Sequence, residues 1–520
     1  MKTLRKYHKW PSLVIGVFLI MFSLSGIILN HRQFFSPVNV SRNLMPPVYR
    51  YNNWNLAAVK GNIILKTNRQ LIYGNIGIWE TDSTFSRFTD FNQGFKKGID
   101  HRKVFTMLQT SDRRLFAGTL FGLYQFNHEE NLWRKLELPE KNPRVVKLEE
   151  HDDLVYVMTR DHLYTMTDNS RPVFRQLPLP VPEGADGKAG LFITLWVLHS
   201  GELLGLAGKL IVDLVGITLI FISLSGFYYT LLPGFARRTS KNLRLKLQRI
   251  NRTSINWHTK IGVYGIIILI VTVISGMFLR PPLLIPIANS RVSPIPGTML
   301  DNANHWHDKL RDFVVDSANN RLILSTSEGF FETGLAGDNN CRPFRVQPPV
   351  SVMGITAFAK MKDGAYLVGS FSGLYRWYPD NETVINQITG EMVTKFSQGN
   401  PFGATAASGV IQSNAELPAY IDYDAGWIPL KRGTSVPNMP DKISKSPVSL
   451  WNVGLEVHTG RIFSVFLGDF YILYVPLMGL TTLLIIVTGF IMWYKSVARK
   501  KKKQTQKPYI HEYHQIKSGT

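Results

Sequence analysis

Four long apolar runs interrupt an otherwise polar, turn-rich chain. The first, 11–29, follows Tyr7-His8-Lys9-Trp10 and carries Ser25-Gly26 near its far end. The third, 261–279, follows Trp257-His258-Thr259-Lys260 and carries Ser275-Gly276. In both copies the His stands 17 residues before the Ser-Gly pair. At about 1.5 Å of rise per residue, each run is long enough to cross the hydrocarbon core of a bilayer. The pattern predicts two parallel membrane helices from a duplicated unit, each bringing one imidazole to the same face.

The second and fourth runs also match each other. Residues 191–232 are too long for one span, so the helix is expected at 210–232, after the Gly-spaced segment Leu198-His199-Ser200-Gly201. The fourth has Val457-His458-Thr459-Gly460, an amphipathic stretch, then a span near 471–494. Ser225-Gly226 and Thr488-Gly489 close these two spans as Ser-Gly closes the others. Small residues let helix backbones approach closely, and helix packing is the expected use of all four pairs.

Between the runs, short β-type segments recur in pairs. Leu71-Ile72-Tyr73 leads to Gly77-Ile78-Trp79, Leu115-Phe116-Ala117 to Gly122-Leu123-Tyr124, and Leu154-Val155-Tyr156 to His162-Leu163-Tyr164. The second polar region repeats the theme at Leu322, Tyr366 and, more weakly, Ala419. A period of about 40–45 residues with paired strands suggests four-stranded propeller blades. Three units in each region could close one six-bladed ring; two separate β domains are the alternative.

The expected fold class is therefore membrane α plus extramembrane β: a four-helix transmembrane bundle from a duplicated two-helix unit, with two external β-repeat regions. Helix 1 takes 1–31 and β region 1 takes 32–190. The His199 segment and helix 2 take 191–232, and a basic loop takes 233–257. Helix 3 takes 258–280 and β region 2 takes 281–450. The His458 segment and helix 4 take 451–494, and a basic tail takes 495–520. The start could pass for a signal peptide. Its apolar run is long for one, however, and its twin lies mid-chain, so a retained helix is expected.

The formal charge of +22 first suggests a nucleic-acid partner. Most of the excess lies beside the apolar runs: Lys2, Arg5, Lys6 and Lys9; Arg237 through Lys260; and the tail from Lys495 on. That is the positive-inside signature, which makes both termini and the 233–257 loop cytoplasmic and both β regions external. Nucleic acid is set aside; the Lys-rich tail reads as a stop-transfer anchor, with contact to anionic membrane lipid as the alternative. Cys341 is the only cysteine, which excludes an intramolecular disulfide, a Cys-ligated iron–sulfur cluster and a thiolate zinc site.

Redox or metal chemistry then falls to histidine. His101, His128, His151 and His162 show no mutual spacing and read as surface or strand residues, and His511 and His514 as residues of a disordered tail. His305 and His307 flank Trp306 and could share one strand face as metal ligands. Asp213 could pair with Lys209 at i−4. His8 and His258 on one side, and His199 and His458 on the other, form two matched pairs. Ionisable groups at membrane depth are costly and tend to be functional. Two imidazoles facing across a bundle can hold a b-type haem without a Cys-x-x-Cys-His attachment, which is absent here. Two haem b groups are expected, one near each leaflet. His31 is a further candidate for the outer one, and Arg461 could meet a haem propionate or an anionic ferric chelate.

At this point the sequence resembles the PepSY-associated transmembrane helix family. The residues that carry the resemblance are Arg5-Lys6-Tyr7-His8-Lys9-Trp10, the Ser/Thr-Gly endings, His199-x-Gly, His458-Thr-Gly-Arg461 and Trp257-His258. It covers all four helices and the order of the external insertions. The resemblance implies a multi-pass bacterial inner-membrane protein with periplasmic β regions, and a haem-bearing reductase delivering electrons to ferric iron or a ferric siderophore. The family's external domains are often small α+β modules, whereas these regions read as β repeats. In this reading a cytoplasmic or quinol donor reduces the inner site and the outer site reduces the iron. There is no Rossmann-type glycine fingerprint for a resident nicotinamide or flavin. A permease or accessory protein using the outer histidines as bare metal ligands is the rival expectation, and a scaffold whose β regions bind an envelope protein is a third.

Overall fold

The apolar runs fold as helices, and these tolerate Pro11 within the first and Pro233 near the end of the second. In a computed structural model, residues 2–505 are described, apart from 66–68, 168–171, 237, 338–339, 351–353, 394–404, 414–415 and 431–434. The chain forms two compact units. One comprises Met1–Arg32, Gly187–Asp301 and Trp451–Thr520, the other Gln33–Asp186 and Asn302–Leu450.

The first unit is helical. Its main elements are α1 (Lys2–Asn30), α2 (Leu191–Ser200), α3 (Gly205–Ala236), α4 (Lys241–Tyr264), α5 (Ile266–Met277), α6 (Leu450–His458) and α7 (Tyr474–Thr505). Among the described residues, three segments are long and apolar enough to cross a membrane: Thr3–Asn30, Glu202–Gly234 and Arg461–Arg499. The expected third span is not one straight helix. α4 and α5 meet at a 68° bend, and together they would make a fourth crossing. The break falls at Gly265, the kind of residue where helices kink, because glycine lowers the cost of leaving helical geometry. The segment expected as a loop at 233–257 is largely helix, since α4 begins at Lys241, just after Ser240 in extended backbone. α3 and α7 also run past the apolar stretches that predicted them, to Ala236 and Thr505.

The second unit consists of antiparallel sheets; apart from a two-stranded pairing of Asn39–Val40 with Val448–Ser449, each is a meander in chain order. The first runs from Gly61–Ile64 to Phe88–Asp90, the second from Val104–Gln109 to Leu132–Leu136, and the third from Val145–His151 to Val173–Leu177. The fourth runs from Leu310–Asp316 to Arg342–Pro343 and the fifth from Ile355–Lys360 to Thr383–Asn386. These five have four strands each; the sixth has three among the described residues, Ala407–Ser413, Glu416–Asp422 and Gly426–Pro429. The paired sequence segments fall on the second and third strands of each sheet. Gly77, Gly122, Gly329, Gly373 and Gly426 take positive φ at the start of the third strand, where a side chain would be strained.

Apolar clusters fill the space between consecutive sheets. Leu71, Ile78, Met107 and Leu115 join the first and second, and Phe116, Leu123, Val155 and Tyr164 the second and third. Trp54, Ile72, Ile421 and Trp427 join the first and sixth. At the first strands the sheets also share hydrogen bonds. The Leu148 N–H donates to Thr106 Oγ1 at 3.2 Å, and the Val315 N–H to Glu149 Oε1 at 3.0 Å. The Val410 N–H donates to the Lys60 carbonyl at 3.0 Å, which brings the sixth sheet back to the first. Middle strands such as Leu115–Thr119 are buried throughout because both faces are covered.

Candidate functional site

Four histidines meet in two pairs inside the helical unit. His8 and His258 have ring centres 6.3 Å apart, and His199 and His458 have ring centres 6.0 Å apart. His8 lies near the start of α1, while Ser25, which touches His458, lies near its end. That spacing along one helix separates the two sites by about 25 Å.

Each imidazole is fixed by the same device. His8 Nδ1 lies 3.0 Å from the Ile485 carbonyl and 3.3 Å from Thr488 Oγ1. His458 Nδ1 lies 3.0 Å from the Phe22 carbonyl and 3.1 Å from Ser25 Oγ. His199 Nδ1 lies 2.9 Å from the Thr272 carbonyl, and His258 Nδ1 lies 2.8 Å from Ser225 Oγ. A carbonyl can only accept, so Nδ1 of His8, His199 and His458 carries the proton. At His258 the same follows from the hydroxyl, because Ser225 already donates to the Ile222 carbonyl at 2.8 Å. Each neutral imidazole is left with a lone pair on Nε2, the form a metal ligand needs. Among the described residues, Nε2 of all four has no hydrogen-bond partner.

The Ser/Thr-Gly pairs therefore do more than let helices approach. A Cβ on Gly276 would stand 2.6 Å from His199 Cε1, on Gly489 3.0 Å from His8 Cε1, and on Gly26 3.3 Å from His458 Cε1. On Gly226 it would stand 3.9 Å from His258 Cε1. What passes over each glycine is an imidazole ring. Glycine inside a helix costs roughly 1 kcal/mol relative to alanine, and the ring contact accounts for its presence at Gly276, Gly489 and Gly26, where an added Cβ would crowd the ring.

The holding is reciprocal between the two halves of the duplication. His8 in α1 is held by α7, and His258 in α4 by α3. His199 in α2 is held by α5, and His458 in α6 by α1. Every imidazole thus belongs to one repeat and rests on the other.

Other expected residues make contacts of their own. His31 Nε2 lies 2.6 Å from Asp213 Oδ2, and Asn30 Nδ2 donates to Asp213 Oδ1 at 3.2 Å. Asp213 does not pair with Lys209, which instead meets Glu202 at 2.6 Å. Arg461 does not share a helix with His458. Gly460 turns into the left-handed region after α6, and Arg461 pairs with Glu456. His305 and His307 lie in a turn and not on a strand face, and His307 Nδ1 meets Asp161 at 2.7 Å. His162 bonds Glu140 at 3.0 Å, and His101 is buried against Phe121. His511 and His514 lie outside the described residues.

Long apolar helices in one unit and sheets in the other define a membrane protein with a sizeable β unit. The chain belongs to the PepSY-associated TM region family, whose sequence model matches residues 5–496. No curated protein matches it. Among solved structures, it is similar at 12% identity to an extracellular domain described as that of a hybrid two-component system from B. thetaiotaomicron. That match covers 71% of this chain and 32% of the other, with a TM-score of 0.35. A second such domain from the same organism gives 11% identity, 74% and 41% coverage, and a TM-score of 0.34. A protein of unknown function from Bacteroides thetaiotaomicron gives 8% identity, 73% and 72% coverage, and 0.36. The chain spans about a third of the length of the first of these relatives.

Proposed function

We propose that the protein is a haem-bearing inner-membrane reductase that carries electrons from the cytoplasmic side to ferric iron or a ferric siderophore on the periplasmic side. The helical unit crosses the membrane four times, with the bent pair α4–α5 as the third crossing and both termini cytoplasmic. The six sheets are blades of one periplasmic propeller.

The paired imidazoles carry this reading. At about 2.0 Å per metal–nitrogen bond, two imidazoles with ring centres about 6 Å apart leave room for one metal between their ring nitrogens. The separations of 6.3 and 6.0 Å fit that requirement. The donor set favours haem over a bare ion. No group of three or more His, Cys, Asp or Glu side chains converges among the described residues, and a porphyrin, supplying four nitrogens itself, needs only two. His8 and His258 would hold one haem, and His199 and His458 the other. Bound at both sites, haem supplies one-electron carriers near both faces of the membrane. The chain's own part is to hold Nδ1 protonated, aim Nε2 and keep the rings from turning.

Purified from a haem-replete host, the protein should show reduced-minus-oxidised Soret and α bands. Once reduced, it should reoxidise when ferric citrate is added without oxygen. A spectrally blank protein, or bands indifferent to ferric citrate, ends this reading.

The glycine contacts give a sharper check. Gly276→Ala should displace His199 and lower haem content at the outer site, because its Cβ meets the ring at 2.6 Å. Gly226→Ala should leave content unchanged, because 3.9 Å is ordinary contact. Haem-to-protein ratios of the two variants, read by pyridine haemochrome, separate them.

A further inference from the structure

α4 changes character along its length. Its end carries His258 onto α3, whereas the part before Trp257 is amphipathic. Leu243, Leu247, Ile250 and Trp257 recur at helical spacing along one face. Lys241, Arg244, Lys246, Arg249 and Arg252 take the remaining surface, with Leu245 among them. The apolar stripe is left uncovered: Leu243, Ile250 and Trp257 are 44%, 48% and 53% exposed. The basic face is equally unmet. α4 holds no Asp or Glu, and among the described residues these five cations meet no carboxylate.

The direction of the helix adds a second observation. His258 Nδ1 lies 2.8 Å from Ser225 Oγ of α3, and Tyr228 Oη donates to the Leu247 carbonyl at 3.4 Å. Between those contacts α4 advances about 16 Å, while α3 advances only about 4.5 Å. α4 therefore turns off the line of α3, and its first turns leave the bundle sideways. At its other end it runs into the apolar stretch that continues, past Gly265, as α5. An amphipathic helix joined sideways to a membrane crossing belongs at the bilayer surface. There an apolar stripe reaches the acyl boundary while Lys and Arg stay at headgroup level. A neutral surface would cover the stripe and leave the cations unanswered; an anionic one answers both.

We propose that the first half of α4 binds anionic phospholipid. Leu243, Leu247, Ile250 and Trp257 enter the acyl boundary, and Lys241, Arg244, Lys246, Arg249 and Arg252 meet headgroup phosphates. The assignment rests on α4–α5 being a membrane crossing and requires no haem.

The test places the full chain in nanodiscs of phosphatidylcholine, alone or mixed with phosphatidylglycerol. Single nitroxides are attached at Ile250→Cys on the stripe, Gln248→Cys on the polar side and Ile267→Cys in α5; the native Cys341 is buried. Power saturation with oxygen and with a water-soluble nickel chelate reads the depth of each label. The label at 250 should be immersed and the label at 248 wet in the anionic discs, and the label at 250 should rise toward water in the neutral ones. Arg244→Gln, Arg249→Gln and Arg252→Gln together should abolish that difference between discs, while the label at 267 stays immersed and reports an intact fold. A stripe that is wet in both kinds of disc, as a face reserved for an acidic protein would be, overturns the proposal. So does equal immersion in both. A wet label at 267 would instead overturn the crossing on which the proposal rests.

Discussion

In the proposed reductase, His8→Ala or His258→Ala should remove about half of the haem and leave a protein with a single redox transition. The loss follows from geometry. One imidazole cannot close a site built for two, and its partner stays fixed 6.3 Å away with nothing opposite. Neither substitution disturbs the other pair, about 25 Å along α1. The measurement is a potentiometric titration of the α band, in which two components in the parent become one. Two surviving components would show that these imidazoles hold no haem. Ser225→Ala should act more gently, keeping haem but shifting the potential of that component, since only the bond that polarises His258 is lost.

The second large effect belongs to the opposite pair. His199→Ala or His458→Ala should leave the inner component reducible while oxidation by ferric citrate slows by at least about tenfold. The cause is positional: the surviving pair lies toward the end of α1 where His8 stands, remote from the proposed periplasmic acceptor. Stopped-flow absorbance of the pre-reduced protein, with and without ferric citrate, gives the rate. Undiminished oxidation in both variants would mean that the acceptor draws its electron without this pair. His31→Ala should behave differently, since its Nε2 is already bonded to Asp213. Haem content should remain as in the parent.

Much of this arrangement is written in local sequence. The 17-residue interval between His8 and Ser25 marked both ends of a helix that carries one paired histidine near its start and the contact to another near its end, while its copy from His258 to Ser275 spans the bend between α4 and α5. The paired strand segments were legible because their apolar alternation and turn glycines are short-range signals. The partner of Ser25 was not legible, since it lies 433 residues away at His458. A small pair on an apolar helix looks the same whether a backbone or an imidazole will cover it. The bend at Gly265 escaped for a related reason. Hydropathy is continuous through 261–279, and one glycine in such a run is commonly tolerated. Asp213 found His31 rather than Lys209 because helix proximity offers a candidate and tertiary structure chooses.

Because each half supplies what the other half's ligands lean on, a chain severed between α3 and α4 should give two fragments that are both colourless alone. Co-expression should restore the pigment.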